Sequence, residues 1–284
     1  MAELSALLHG HPGTLVLSGA GMSTESGIPD YRGPDGLRRV TPMEHGEFIG
    51  SSGARQRYWA RSYIGWARFR AAEPNDGHRA VALLQRRGHV GAIITQNVDG
   101  LHQRAGSIDV VELHGSLAHV GCLDCGTQID RSTLQRALAR DNPGFVDLAE
   151  GTVRDGSQVS SQIRPDGDIV LADSVVERFV QPRCPECGSD VVKPDVVFFG
   201  GSVPKDRVEQ CFALTDAAPA LLVLGSSLRV MSGFRFVRRA VAHGIPVAIL
   251  TRGATRADPL GLLHVDAPLG TSLEALVDEL ARAA

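Results

Sequence analysis

The sequence predicts an α/β fold, in which helices cover both faces of an open parallel sheet and a small module is inserted into the sheet domain. Short apolar runs alternate with helical patterns along most of the chain, which is typical of parallel sheets. This alternation stops between Cys122 and Cys187, where the chain is polar and irregular and has a cysteine pair at each end. The length of 284 residues fits one large domain and one smaller one.

The first half of the chain contains three predicted strands and two predicted helices. Each predicted strand is a short apolar run that ends in glycine or polar residues, as buried strands of parallel sheets do. The second predicted helix ends at Gly88, a residue type that commonly follows helices. In chain order, we predict a strand at 14–18 followed by a helix start at Ser23–Glu25, a loop at 33–46, helices at 56–70 and 78–87, and strands at 91–100 and 109–116.

The chain that follows the cysteine-bounded stretch continues the alternation of strands and helices. The helical pattern FRFVRRAVAHG is amphipathic, and SLEALVDELARA forms a terminal helix. We predict strands at 195–200 (DVVFFG), 219–227 (PALLVLGSS) and 245–251 (IPVAILT), with helices at 234–244 and 272–283.

Charge and composition exclude several classes of protein. The chain has 29 basic and 32 acidic residues, and a net charge of −3 is not that of a nucleic-acid binder. Its apolar stretches are shorter than the ~18 residues that a membrane-spanning helix needs. The N-terminus lacks the features of a targeting peptide, and an odd number of five cysteines does not indicate a disulfide framework. We therefore expect a cytoplasmic protein with no membrane or nucleic-acid partner.

Two CxxCG units at the ends of the irregular stretch predict a metal site. Thiolates two residues apart can bind one cation, and four of them form a closed tetrahedral zinc site without an open position for water. We therefore predict one structural zinc ion per chain, while redox disulfides and unrelated buried thiols remain the alternatives. Cys211 is predicted to be a buried core thiol. The predicted zinc ligands are Cys122, Cys125, Cys184 and Cys187.

The glycine turn after the first predicted strand identifies a family once the motifs that follow it are included. Alone, Gly19-Ala20-Gly21 is a weak dinucleotide-binding signal, because the third glycine and a later acidic residue are missing. The motifs GAGMSTESGIPDYRG, TQNVDGLHQRAG, ELHGS, two CxxC pairs, KPDVVFFG and GSSLRV occur in this order. Together they resemble the sirtuin family of NAD-dependent protein deacylases from about Gly13 to the C-terminus, and RQRYWAR and CLDCG are most similar to its class II branch.

The resemblance implies how the chain is organised. It implies a Rossmann-like parallel sheet with helices on both faces and an inserted zinc-binding module, with NAD as a co-substrate in the cleft between them. The NAD-binding domain would comprise residues 1–32, 76–117 and 193–284. A cofactor loop and helical segment would occupy residues 33–75, and the zinc module residues 118–192.

The resemblance also implies a reaction. An acyl-lysine oxygen attacks C1′ of the nicotinamide ribose and displaces nicotinamide, after which a base deprotonates a ribose hydroxyl; the products are nicotinamide, deacylated lysine and 2′-O-acyl-ADP-ribose. His114 matches the family's base, and imidazole suits this task because its pKa lies near neutral pH. We expect His78 and His102 to form local hydrogen bonds, and His9 and His11 to lie in a mobile N-terminus.

The resemblance further implies a set of residues that contact NAD. Asn97 would position the ribose or a water, Gln96 would bind the ribose, and Asp99 would accept from the nicotinamide carboxamide. Tyr31 would shield the reacting carbon, while Thr251 stands where the family often has Asn and has a shorter reach. The remaining predicted contacts are Gly19, Ala20, Gly21, Ser23, Asp30, Arg32, Gly225, Ser226, Ser227, Arg252, Gly253 and Leu269.

The substrate is expected to be an acyl-lysine protein or peptide. The peptide would add as a strand between residues 195–200 and Leu228–Ser232. Val197, Phe198 and Gly200 would line the lysine tunnel, and Gly201 stands where many relatives have an acidic residue. Tyr58 and Arg61 are similar to the pair that binds acidic acyl groups in desuccinylating relatives, although an amphipathic helix with a purely structural role explains them as well.

Two other functions are alternatives to deacylation. Protein mono-ADP-ribosyltransferase activity could arise from the same site, if another nucleophile intercepted the ADP-ribosyl intermediate. A non-catalytic NAD sensor could use the zinc module as a binding platform. The presence of Asn97, Asp99 and His114 argues against the sensor.

Overall fold

The computed structural model describes residues 1–32, 41–154, 167 and 169–283. The strands are β1 (Thr14–Ser18), β2 (Val90–Thr95), β3 (Val110–Glu112), β4 (Gly115–Cys122), β5 (Gln128–Asp130), β6 (Val192–Val196), β7 (Leu221–Leu224), β8 (Val247–Leu250) and β9 (Leu263–Val265). The α-helices are α1 (Ala2–Gly10), α2 (His45–Gly50), α3 (Ser52–Ala71), α4 (Asp76–Arg86), α5 (Leu101–Arg104), α6 (Arg131–Asp141), α7 (Phe145–Arg154), α8 (Asp173–Val176), α9 (Lys205–Ala217), α10 (Met231–Ala242) and α11 (Leu269–Ala283). Two 3₁₀ helices cover Ala20–Ser26 and Asp258–Leu260.

The chain divides into two compact units. The sheet unit comprises Met1–Arg39, Glu73–His114 and Val203–Ala284, and the cysteine unit comprises Val40–Ala72 and Gly115–Ser202. The cysteine unit thus includes Val40–Ala72, most of the predicted separate segment 33–75.

The sheet unit contains a six-stranded parallel sheet with the strand order β3-β2-β1-β7-β8-β9. Counted within this sheet alone, the order is third, second, first, fourth, fifth, sixth. The chain therefore changes direction of winding between β1 and β7, and in open parallel sheets ligands bind outside the carboxyl ends of the strands at this point. Ser18 is level with Thr95 on one side and with Leu224 on the other, so the three strands end together.

Helices cover both faces of this sheet, as predicted. Alternate residues of β1 point to opposite faces, so Val16 packs with α1, α4 and α11, while Leu15 and Leu17 pack with α9 and α10. The predicted mobile N-terminus at His9 and His11 is wrong. These residues lie at the end of α1, whose Leu4 and Leu8 are buried in the same apolar core as Val16.

The cysteine unit contains a three-stranded antiparallel sheet, β5-β4-β6, and several helices. The predicted irregular character of this stretch is wrong, because α6 begins at the N-cap Asp130 and buries Leu134 and Leu138 on one face. On α3, Trp59 and Trp66 pack around the buried guanidinium of Arg131, at 5.4 and 4.6 Å from the ring centroids.

Two further predictions differ from the structure. The predicted strand at 195–200 is wrong in extent and sheet, since β6 ends at Val196 and pairs antiparallel with β4. This pairing brings the backbones so close that a Cβ on Gly115 would overlap the Asp195 carbonyl oxygen. Residues 33–40 of the predicted loop at 33–46 lie outside the described residues. The loop ends early, because α2 begins at His45, whose amide donates to the Phe199 carbonyl.

The described residues contain no helix that combines the length and the apolar character needed to cross a membrane.

Candidate functional site

Polar residues gather at the carboxyl ends of β1, β2 and β7. Gly19 follows β1, Gln96 and Asn97 follow β2, and Gly225 and Ser226 follow β7. Because these parallel strands end at the same level, their following residues meet at one edge of the sheet. The fold thus brings together residues that are far apart in the chain.

The glycines at this edge allow two turns to pack directly on each other. Gly225 has φ +61°, and a Cβ there would lie 2.5 Å from the Met22 nitrogen. A Cβ on Gly21 would lie 2.9 Å from the Gly225 carbonyl oxygen, to which the Gly21 amide donates at 2.9 Å. A Cβ on Gly19 would lie 2.8 Å from Cβ of Ser226. The packing of the backbone therefore requires glycine here before any ligand is considered.

A hydrogen-bonded chain links Asn97, Ser23 and Asp99. Asn97 Nδ2 donates to the Gly19 carbonyl at 3.1 Å and to Ser23 Oγ at 3.0 Å. Ser23 Oγ in turn donates to Asp99 Oδ2 at 2.7 Å, and the Leu101 amide donates to Asp99 Oδ1 at 2.9 Å. Burial raises the pKa of Asp99, and these two donated bonds oppose that rise. The carboxylate and the carboxamide are therefore held in fixed orientations.

Gln96 connects the ends of β1 and β7. Its Nε2 donates to Ser226 Oγ at 2.9 Å and to the Ser18 carbonyl at 3.2 Å. Gly233 packs directly on the same side chain, because a Cβ there would lie 2.5 Å from Gln96 Oε1. The Gln96 side chain is therefore held between three neighbouring segments.

His114 has a defined tautomer. Its Nδ1 lies 2.9 Å from the Gln96 carbonyl oxygen, which can only accept, so Nδ1 carries the proton of the neutral ring. Nε2 is then the acceptor, and Ser232 Oγ donates to it at 2.8 Å. Burial lowers the pKa of His114 to about 4, aided by Arg207 and Arg235 and opposed by the bond to Gln96. At neutral pH the ring is uncharged and can accept a proton at Nε2.

Two other histidines are buried behind this edge. His78 Nδ1 pairs with Asn75 Oδ1 at 3.0 Å within the N-terminal turn of α4, which confirms the predicted local bond. The prediction of a local bond for His102 is wrong, because its Nε2 lies 2.9 Å from Oγ of Ser18, 84 residues away. Parallel pairing of β1 with β2 brings these positions together, and the spacing of the two residues in the sequence does not indicate their contact.

The other predicted cofactor residues lie around the same sheet unit. Ala20 and Ser23 belong to the 3₁₀ helix after β1, and Thr251, Arg252 and Gly253 follow β8. Leu269 opens α11, and its Cδ1 would lie 2.7 Å from a Cβ on Gly225. Asp30, Tyr31 and Arg32 end the first described stretch, and Ser227 follows Ser226 beyond β7.

The predicted substrate residues lie in the cysteine unit. Val197, Phe198 and Gly200 follow β6, while Tyr58 and Arg61 lie on α3. The Phe198 ring contacts the Tyr58 ring, with centroids 5.2 Å apart. The structure thus brings Phe198, a predicted tunnel residue, into contact with Tyr58, a residue of the predicted acyl-binding pair.

Ser232 was not predicted as a partner of His114. It lies in the first turn of α10, and no local sequence signal marks it, because the contact depends on how α10 packs against the end of β2.

The four predicted zinc ligands come together in the cysteine unit. Their sulfur atoms all lie within 4.8 Å of one another, and all four cysteines are free thiols. Each knuckle turns at a glycine of positive φ, Gly126 (+78°) and Gly188 (+73°), whose amides donate to the Cys122 and Cys184 carbonyls at 2.9 Å. Four sulfurs so close together fit tetrahedral zinc, with metal–sulfur distances of about 2.3 Å. Cys211 is buried in the core of the sheet unit, as predicted.

Comparisons with known proteins agree with this geometry. The model of the Sir2 family matches residues 19–232. The chain is 54% identical over 269 residues to NAD-dependent protein deacetylase 1 of Streptomyces coelicolor, covering 94% of this chain and 86% of that protein. It is 48% identical over 279 residues to NAD-dependent protein deacylase SIR4 of Monosiga brevicollis, covering 98% and 88%. A solved structure of Sir2 with a p53 peptide and NAD⁺ is 28% identical, with 99% of each chain covered and a TM-score of 0.73.

Proposed function

Because the chain belongs to the Sir2 family, we propose that it is an NAD-dependent protein lysine deacylase that produces nicotinamide, deacylated lysine and 2′-O-acyl-ADP-ribose. The observation that carries the proposal is His114, a neutral imidazole with its acceptor nitrogen turned away from the Gln96 carbonyl. NAD supplies the electrophilic carbon of this reaction. The support for NAD itself is the glycine turn at the winding change, together with the polar side chains that follow β1, β2 and β7.

Each polar residue at this edge has a proposed task. His114 accepts the proton of a ribose hydroxyl at Nε2, and the Gln96 carbonyl holds the ring in the required tautomer. Asn97 and Asp99 are oriented by Ser23, so their carboxamide and carboxylate can bind the ribose and the nicotinamide amide. Gly19, Gly225 and Ser226 form the floor of the cofactor site.

An acyl-lysine peptide is the proposed substrate, and the peptide complex of the Sir2 relative supports this choice. Val197, Phe198 and Gly200 are the proposed lining of the lysine tunnel. The aromatic contact between Phe198 and Tyr58 gives this lining an apolar surface suited to an alkyl chain. Similarity to the class II branch and a cytoplasmic location stay predictions, and so do the domain boundaries at residues 32, 75, 117 and 192.

A panel of acyl-peptides with saturating NAD tests the proposal. We expect nicotinamide release and loss of the acyl group in step with each other, and mass spectrometry should identify acyl-ADP-ribose and free lysine. His114→Ala should abolish this turnover, whereas His9→Asn, an exposed histidine on α1, should leave it unchanged. Unchanged turnover in His114→Ala would refute the assigned base, and an ADP-ribosylated protein in place of acyl-ADP-ribose would favour the transferase.

The same panel tests recognition of acidic acyl groups. Tyr58 and Arg61 lie three residues apart on α3, so their side chains emerge on one side of the helix. If Arg61 binds a carboxylate, succinyl-peptide should be preferred over acetyl- and lipoyl-peptide, and Arg61→Met should remove the preference. The absence of a succinyl preference in the wild-type protein would contradict this role.

A further inference from the structure

His114 is held at both ring nitrogens within the sheet unit. The Gln96 carbonyl accepts from Nδ1 at 2.9 Å, and Ser232 Oγ donates to Nε2 at 2.8 Å. Among the described residues, these two groups are the hydrogen-bond partners of the ring. The two partners are also fixed to each other, because Gly233, the next residue after Ser232, packs on the Gln96 side chain without room for a Cβ.

The two partners respond differently when the ring takes up a proton. The carbonyl of Gln96 can only accept, so its bond with Nδ1 is the same before and after protonation. A hydroxyl can either donate or accept. Ser232 Oγ donates to the single lone pair of the bare Nε2; its hydrogen rotates away when that lone pair takes up a proton, and Oγ then accepts from Nε2–H. A bond from a charged donor is stronger than one between neutral groups. Ser232 therefore stabilises the protonated ring more than the neutral one.

Positive charges near the His114 ring make the Ser232 hydroxyl more important for stabilising the protonated ring. Arg207 on α9 and Arg235 on α10 both act against a positive charge on His114, and burial acts in the same direction. Ser232 is thus the neighbouring group that can offset these effects at Nε2 itself.

We infer that Ser232 is a positioning residue for His114, whose hydroxyl holds Nε2 in place and accepts its hydrogen bond once the ring is protonated. This inference rests on the proposed function, in which Nε2 of His114 takes the proton. Ser232 belongs to the first turn of α10 and is half-buried, so it can change its bonding without unpacking the core.

The test compares Ser232→Ala with Ser232→Thr, which keeps the hydroxyl, and with Val241→Ala, which alters an exposed residue near the other end of α10. In ¹⁵N NMR spectra at neutral pH, we expect the Nε2 resonance of His114 to move in Ser232→Ala and to stay near its wild-type position in the other two variants. In turnover assays, Ser232→Ala should lower kcat about tenfold and leave KM for NAD nearly unchanged. Ser232→Thr should recover most of the lost kcat.

The NMR measurement needs no turnover, so it separates this inference from the proposed function. A wild-type protein that deacylates no peptide would refute the proposed function, whereas the Nε2 resonance would still report the bond to Ser232. An unmoved Nε2 resonance in a folded Ser232→Ala protein would overturn the inference. Equal loss of kcat in Ser232→Ala and Ser232→Thr would also overturn it, since a hydroxyl would then be irrelevant. Near-UV circular dichroism establishes that each variant is folded.

Discussion

Gly225 lies where two turns of the sheet unit pack closely on each other. Its φ of +61° is unfavourable for other residues, and a Cβ there would lie 2.5 Å from the Met22 nitrogen and 2.7 Å from Leu269 Cδ1. Gly244, at the end of α10, has a similar φ of +69°, but a Cβ there would meet no atom of the described residues within 4 Å. Alanine substitutions at Gly225 and Gly244 therefore separate the free-energy cost of a left-handed backbone from that of a steric clash.

We predict that Gly225→Ala lowers the free energy of unfolding by about 3 kcal/mol, from left-handed strain of about 1 kcal/mol and overpacking of about 2 kcal/mol. Gly244→Ala should cost only about 1 kcal/mol, because it adds the strain alone. Urea denaturation measures both values. Equal costs for the two variants would mean that the turns can move apart to admit a methyl group.

The positions of individual candidate site residues in the fold could be predicted where they depend on nearby sequence. Asn97, Asp99 and His114 occur in motifs that follow predicted strands, and the structure places them after β2 and β3. The partners that hold them could not be predicted in this way. Ser232 reaches His114 across 118 residues, and only the packing of α10 brings it there.

Buried histidines join four elements of the sheet unit. His102 on α5 pairs with Ser18 at the end of β1, and Ser18 Oγ donates to Thr95 Oγ1 at the end of β2 at 2.9 Å. His78 on α4 lies beside His102, with ring centroids 5.0 Å apart. Burial lowers the pKa of His78 to about 3, with His102 and Arg79 adding to the effect, and burial lowers the pKa of His102 to about 4.

These pKa values predict loss of stability in acid. The unfolded chain binds protons on these histidines below about pH 6.5, whereas the folded protein binds them only near pH 4 on His102 and near pH 3 on His78. The contribution of these two histidines to the free energy of unfolding is therefore fully present above pH 6.5. It decreases as the pH falls toward 4, by up to about 1.4 kcal/mol per pH unit for each histidine. His102→Gln should reduce this slope, and His9→Asn should not. Urea denaturation from pH 7 to 5 measures it, and an unaltered slope in His102→Gln would contradict the assignment.

The helices and strands could be predicted to different degrees. β1, β7 and β8 are uninterrupted apolar runs bounded by turn residues, so local composition identifies them. β6 contains Pro194 and pairs with β4 in the cysteine unit. The apolar run VVFF begins at the last residue of β6, so local composition places the predicted strand too far along the chain. α6 was missed because only two buried leucines mark its inner face, and the rest of its sequence is polar.

At the scale of the whole molecule, the two units differ in what stabilises them. The sheet unit has two continuous apolar cores, one on each face of its sheet. The cysteine unit has a smaller sheet of three strands and a cluster of four sulfurs. Metal binding to such a cluster adds directly to the free energy of folding, because the unfolded chain has no preformed site.

We predict one zinc ion per chain, and removal of that ion should lower the Tm. Cys184→Ser should abolish zinc binding, because three thiolates leave the tetrahedral site incomplete. Cys211→Ala, at a buried cysteine of the sheet unit, should keep the full zinc content. Elemental analysis of the purified variants measures the metal, and zinc retained by Cys184→Ser at the wild-type level would contradict the site.

The stacking of Trp59 and Trp66 around Arg131 has a consequence for spectroscopy. These are the chain's two tryptophans, and both are in the cysteine unit. Intrinsic tryptophan fluorescence therefore reports on the cysteine unit alone, and the sheet unit, which carries the proposed chemistry, contributes no tryptophan emission. A denaturation curve followed by fluorescence and one followed by far-ultraviolet circular dichroism will coincide only if both units unfold together. A single tryptophan introduced on α10 would give the sheet unit a fluorescence signal of its own.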